Sequence, residues 1–130
     1  MSTESDTYST IESATEATFR DRGSKFIGYA FPVSNEEEIK EHIQSLKKVH
    51  PSSRHACYAF RINPMNEYWR ANDDGEPSSS AGKPILGQIR SLDLQNVLVV
   101  VIRYFGGTLL GVPGLINAYK TAAYEALSQA

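Results

Sequence analysis

The chain has 130 residues, a formal net charge of −2, 41% hydrophobic residues and 22% charged ones. That length suits one domain with a proper core, and the mildly acidic balance argues against broad, charge-driven nucleic-acid binding while leaving room for a local basic patch. The single cysteine, Cys57, excludes an intrachain disulfide framework and points to a reducing cytosol; no run approaches the roughly 18 to 20 apolar residues that span a bilayer, and the polar, acidic N-terminus does not read as a signal peptide.

Residues 1–7 read as a frayed, disordered terminus. From Tyr8 to Phe19, Ile11, Ala17 and Phe19 alternate against Glu12, Glu16 and Thr18, which predicts a half-buried strand. Asp21-Arg22-Gly23-Ser24 makes the turn, with Gly23 free to take positive φ. Lys25 to Val33 is the returning strand, with Ile27, Tyr29 and Phe31 on one face, and Pro32 either stops it or places it at an edge. Ser34 and Glu37 fit a capping box, Glu36, Glu37 and Glu38 fill the first helical turn, and Ile39, Ile43 and Leu46 form the buried stripe. Lys47, Lys48 and Pro51 close that helix.

Arg54 to Ile62 predicts a third strand, in which Ala56, Tyr58, Phe60 and Ile62 alternate with His55, Cys57, Ala59 and Arg61. A loop over Asn63-Pro64-Met65-Asn66 leads to a short fourth strand over Glu67 to Ala71. The stretch from Asn72 to Lys83 has the Ser, Gly and Pro content of a linker, yet it packs Asp73, Asp74 and Glu76 within four positions. Pro84 then fits the first turn of a helix with Ile85, Ile89 and Leu92 as its stripe.

Val97 to Ile102 is the most hydrophobic run in the chain and reads as a central strand buried on both faces. Arg103 and Tyr104 emerge from it, followed by Gly106, Gly107, Gly111 and Gly114, and a last helix begins near Pro113 with Leu115, Tyr119, Ala122 and Ala126 along one stripe. The order ββα, ββ, αβα predicts an α+β two-layer sandwich over residues 1–130 with no internal repeat and no second domain.

Asp73-Asp74-Gly75-Glu76-Pro77-Ser78, Ala81-Gly82-Lys83-Pro84-Ile85-Leu86 and Arg103-Tyr104-Phe105-Gly106-Gly107 carry a family resemblance. So do Arg22 to Gly28, Arg54 to Ala59, and Leu110-Gly111 with Gly114-Leu115-Ile116. Together, in this order, they resemble the N-terminal domain of the YigZ/IMPACT family. The resemblance implies a fold like the second domain of ribosomal small-subunit protein five. That fold is a mostly antiparallel sheet with helices on one face and a left-handed βαβ crossover, against the usual hand. It also implies a link to translation or its regulation. Bacterial members usually carry an extra C-terminal domain, which is expected to be absent from this chain.

The residues expected to bind are Asp73, Asp74, Glu76, Lys83, Arg103, Tyr104, Gly106 and Gly107. A guanidinium ending an apolar strand must find acceptors, and the acidic loop is the nearest supply, so Arg103 is expected to bond at least one of Asp73, Asp74 and Glu76 or the loop backbone, with capping and turn hydrogen bonds as the other use of those carboxylates. The loop lacks the spacing of a calcium-binding EF-hand, and the glycines after Arg103 lack a Walker lysine and serine. His55 and Cys57 share a strand face, but no orienting third group is evident and two ligands are too few for zinc. No catalytic residue, metal or cofactor is therefore assigned.

The expected function is a non-enzymatic, cytoplasmic, translation-associated module that binds RNA or a ribosome- or translation-factor protein, with no membrane partner. RNA would be held locally, by Arg103, Lys83 and Arg70. The alternative is a small hydrolase or phosphotransferase built on Asp73, Asp74, Glu76 and Arg103.

Overall fold

The computed structural model describes residues 9–62 and 68–130. The expected frayed terminus over residues 1–7 and the loop from Asn63 to Asn66 lie outside the described residues, as does Glu67. The elements run β1 (Thr15–Asp21), β2 (Ser24–Pro32), α1 (Glu36–Val49), β3 (His55–Ile62), β4 (Tyr68–Asn72), α2 (Gly82–Ser91), β5 (Val97–Tyr104) and α3 (Gly111–Ser128).

The five strands form one sheet in the order β1-β2-β5-β3-β4, and every pairing is antiparallel. The apolar run explains the order. Val97 through Ile102 are each 0% exposed, and only the central position of a sheet covered on both sides can bury all of them. Val97, Val99 and Val101 join one core cluster with α2 and α3, while Leu98, Val100 and Ile102 join a second with Ile39 and Leu46 of α1.

The α+β class and antiparallel sheet are as expected, but the layering corrects one expectation: the helices are not all on one face. α2 and α3 cover one side of the sheet, and α1 lies against the other. The reason is strand parity. The alternate residues Ile27, Tyr29 and Phe31 of β2, and Ala56, Phe60 and Ile62 of β3, form a second apolar face that needs a cover.

This layering settles a question of handedness. β2 and β3 are both antiparallel to β5, so they run parallel and are joined over one face by α1. β4 and β5 are both antiparallel to β3, so they too run parallel and are joined over the other face by α2. A half-turn about the sheet normal superimposes the two crossovers except for the face they use. They therefore have opposite hands, and one of them is left-handed, the exception to the usual rule.

Three local details refine the expected boundaries. β1 begins at Thr15 and continues past Phe19 to Asp21, where Arg22 and Gly23, both with positive φ, make the two-residue hairpin turn. The cap of α1 falls one residue later than expected. Asn35 accepts the Glu38 N–H at 2.9 Å, and Glu38 in turn accepts the Ser34 N–H at 2.6 Å. α2 begins at Gly82, with Pro84 in its first turn.

Candidate functional site

Register places the site. Phe26 of β2, Arg103 of β5 and His55 of β3 are direct cross-strand partners, so their side chains form a row on the face covered by α2 and α3. Arg103 is 5% exposed, and its guanidinium lies 5.6 Å from the centroid of the Phe26 ring. The loop from 73 to 81 closes over this row and delivers Glu76, itself buried. Arg103 Nη1 donates to Glu76 Oε2 at 2.7 Å, the pairing expected from the sequence. The Tyr119 hydroxyl of α3 donates to the same carboxylate oxygen. His55 Nδ1 donates to the Asp74 carbonyl at 2.8 Å, which leaves Nε2 facing Glu76 Oε1 at 3.6 Å, beyond hydrogen-bond reach. One buried carboxylate thus gathers a guanidinium and a phenol, with an imidazole alongside.

The other acidic residues do different work. Asp73 Oδ1 accepts the N–H groups of Ala81 and Gly82 at 3.1 and 2.8 Å, and its Oδ2 accepts Ser79 N–H at 2.8 Å. Ala81, at the N-cap of α2, has no capping side chain of its own, so Asp73 caps that helix from outside it. Asp74 Oδ2 accepts the Ala56 N–H at 2.7 Å, pinning the loop to β3. Among the described residues, no three His, Cys, Asp or Glu side chains converge as a metal ion would need.

Cys57 is fully buried and its thiol donates to the Asp73 carbonyl at 3.0 Å. Burial pushes its pKa well up; the Tyr119 hydrogen bond opposes this, while the Glu76, Asp74 and Asp73 charges add to it. The Tyr119 phenol is likewise pushed up, first by burial, then by Cys57 and Glu76. Neither group has the character of a nucleophile or a base.

Not all the expected site residues come together. Tyr104 follows Arg103 in the strand and so points to the opposite face, where its hydroxyl bonds His50 Nδ1 while His50 Nε2 bonds the Tyr29 hydroxyl at 2.8 Å. Gly106 is a packing residue: its N–H donates to Ser24 Oγ at 3.1 Å, and a Cβ there would stand 2.1 Å from the Gly23 carbonyl carbon. Gly107 is exposed with φ +89 and open space around it. Lys83 is exposed on the first turn of α2, and Arg70 of β4 bonds the Tyr68 hydroxyl at 2.7 Å. Arg103 is buried in an ion pair, whereas Lys83 and Arg70 are exposed.

Beyond the polar cluster lies a cavity of about 240 Å³. Glu76 and Arg103 supply its polar side, and Pro77, Leu109, Val112 and Leu115 its apolar side. Two of its lining residues are exposed hydrophobics, Leu109 at 82% exposure and Val112. Arg103 Nε is buried and has no acceptor among the described residues. Sequence reasoning missed Tyr119, which sits in an apolar stripe and signals itself only as the one hydroxyl there, and missed Leu109, whose exposure no pattern announces.

An α+β sheet with a buried carboxylate–guanidinium pair under a glycine-bearing loop defines a domain class that comparison with known proteins identifies. The chain belongs to the Impact N-terminal domain family, whose model matches residues 22–127. It is 41% identical over 121 residues to the IMPACT family member YvyE of Bacillus subtilis, covering 93% of this chain and 56% of that protein. It is 36% identical over 108 residues to the IMPACT family member YigZ of Escherichia coli, covering 82% of this chain and 53% of that protein. The chain therefore spans about half the length of these relatives. Among solved structures, a hypothetical protein matches with a TM-score of 0.89 at 31% identity, over 94% of this chain and 60% of that one. The two-domain translational regulator Yih1 matches with a TM-score of 0.61 at 32% identity, over 92% of this chain and 47% of that one. No helix among the described residues is long and apolar enough to cross a membrane.

Proposed function

We propose that this domain acts in translation or its regulation, in the cytoplasm, as a module that binds a translation protein and does not turn over a substrate. The observation that carries the reading is the buried Arg103 Nε–H, without an acceptor among the described residues, in a wall of a cavity whose rim is apolar and exposed. A buried donor left unpaired costs about 1–3 kcal/mol, and a partner's carbonyl or carboxylate oxygen would recover it while an apolar side chain filled the space beside Leu109 and Val112. The likeness to a two-domain translational regulator supports the setting.

The alternative, a hydrolase or phosphotransferase, needs free carboxylates. Here Asp73 caps a helix, Asp74 holds a strand amide, and Glu76 is neutralised by Arg103. That supports binding over catalysis. The test is an assay of the purified protein against phosphoester and ester substrates with divalent metal, run beside titration with a partner captured from lysate. Saturable, stoichiometric binding that persists in Asp74→Asn is the expected result. Metal-dependent turnover that disappears in Asp74→Asn or Glu76→Gln would replace this reading with the enzymatic one.

A further inference from the structure

On the far face of the sheet, α1 and the β3–β4 edge enclose two adjoining cavities of about 210 and 400 Å³. They share Lys47 and Asp74 as common walls, so they form one groove. Lys40 and Lys47 line it from α1, seven residues apart and hence about 10 Å along the helix axis. Arg54, at the head of β3, lines its other end.

None of these three cations is spent on an ion pair among the described residues. Arg54 lies 4.8 Å over the Phe105 ring, and Lys40 and Lys47 are exposed. The single carboxylate in the wall, Asp74, is held by the Ala56 N–H. His50 and His55 also border the groove, but His50 is held between two tyrosines and His55 turns its ring to the Asp74 carbonyl and Glu76. The glutamates of α1's first turn do not line it. The Tyr58 and Ser53 hydroxyls have no hydrogen-bond partner among the described residues and stand in the walls.

In a chain of net charge −2, a groove lined by three cations, with uncommitted hydroxyl donors and the Tyr58 ring in its wall, is complementary to a flexible polyanion that carries bases. We infer that the groove between α1 and β3–β4 binds a short run of single-stranded RNA. Lys40, Lys47 and Arg54 neutralise phosphates along the strand, and Tyr58 offers a ring face to a base. This groove is separate from the Arg103 cavity and does not depend on the protein-binding role proposed for it.

The test is fluorescence anisotropy of a labelled oligouridylate of about ten nucleotides, titrated with the wild-type chain at several salt concentrations. The expected result is affinity at low salt, falling with a log–log slope of about −2, the value for about three phosphates on a single strand. Lys47→Glu and Arg54→Glu should each weaken binding by about tenfold or more and make the slope shallower by about 0.7. Lys120→Glu makes the same charge change at an exposed position of α3 and should leave affinity within about twofold. No affinity at low salt would overturn the proposal. An equal loss in Lys120→Glu, or equal competition by polyglutamate, would overturn it too, because either marks general charge attraction with no RNA site.

Discussion

Glu76 sits buried at the centre of the polar cluster. It balances the Arg103 charge, accepts from Tyr119, and draws the acidic loop onto the sheet. Arg103→Ala should cost about 3–5 kcal/mol in urea unfolding, because it strands a buried carboxylate, and Glu76→Gln should cost a similar amount for the opposite reason. A loss below about 1 kcal/mol would mean the pair is not buried in solution. Tyr119→Phe removes one hydrogen bond to a charged group and should cost about 1.5–3 kcal/mol. Cys57 should behave as a packed side chain. Its raised pKa and full burial predict that iodoacetamide labels it slowly in the native protein and quickly after unfolding, as mass spectrometry would record. Cys57→Ala should cost at most about 2 kcal/mol, and rapid native labelling would contradict the packing role. The Arg103–Glu76 pair was legible in the sequence because a permanent cation at the end of a six-residue apolar run, with carboxylates nearby in sequence, has few other solutions. The division of labour among the carboxylates was not legible. Asp73 reaches amides eight and nine residues ahead, and no local motif encodes that reach.

Close approach between elements is set by glycine. A Cβ on Gly28 of β2 would meet the Ala122 carbonyl oxygen of α3 at 2.5 Å, so Gly28→Ala should lift that helix from the sheet and cost about 1–3 kcal/mol. Gly87, on the open side of α2, meets nothing within 4 Å, and Gly87→Ala should gain about 0.5–1 kcal/mol through lower unfolded-state entropy. Paired thermal melts decide both, and a stabilised Gly28→Ala would show that α3 sits farther from β2. α1 is tied to the sheet at its C-terminal end by His50, held between Tyr29 and Tyr104. Burial, then the nearby Lys25, lowers the His50 pKa against a smaller opposing effect of Glu16. The unfolded chain therefore takes up the proton first, so stability should fall as pH drops below about 6.5 and be insensitive to this group above it. His50→Gln should flatten that fall; an unchanged pH profile in denaturant midpoints would remove His50 from the account. At this scale the sequence was informative about order and alternation but not about covering. The parity that separates Arg103 from Tyr104 was visible, yet grouping them by adjacency along the chain assigned both to one site. The second apolar face, on Ile27, Tyr29 and Phe31, likewise implied a helix on the far side.

At the scale of the whole molecule, the two faces of the sheet carry different features. The α2–α3 face carries the buried ion pair and the apolar-rimmed cavity, and the α1 face carries the cation-lined groove. The family was legible because its motifs lie at loops and strand ends whose glycines and charges the fold requires. The proposed recognition surface was not, because exposure at Leu109 and an Arg103 Nε–H without an acceptor among the described residues depend on how three separate segments meet. Leu109 offers the cleanest probe of that surface, being 82% exposed and outside every hydrogen bond described, so Leu109→Glu should leave the melting midpoint within about 2 °C. The most direct measurement is affinity capture from nuclease-treated lysate with the wild-type chain and with Leu109→Glu side by side, read by quantitative mass spectrometry. The prediction is that the wild type retains a ribosomal or translation-factor protein after nuclease and that Leu109→Glu loses it by about tenfold or more. Equal capture of that protein by both chains, or its absence from the wild-type sample, would contradict recognition at the Arg103 cavity.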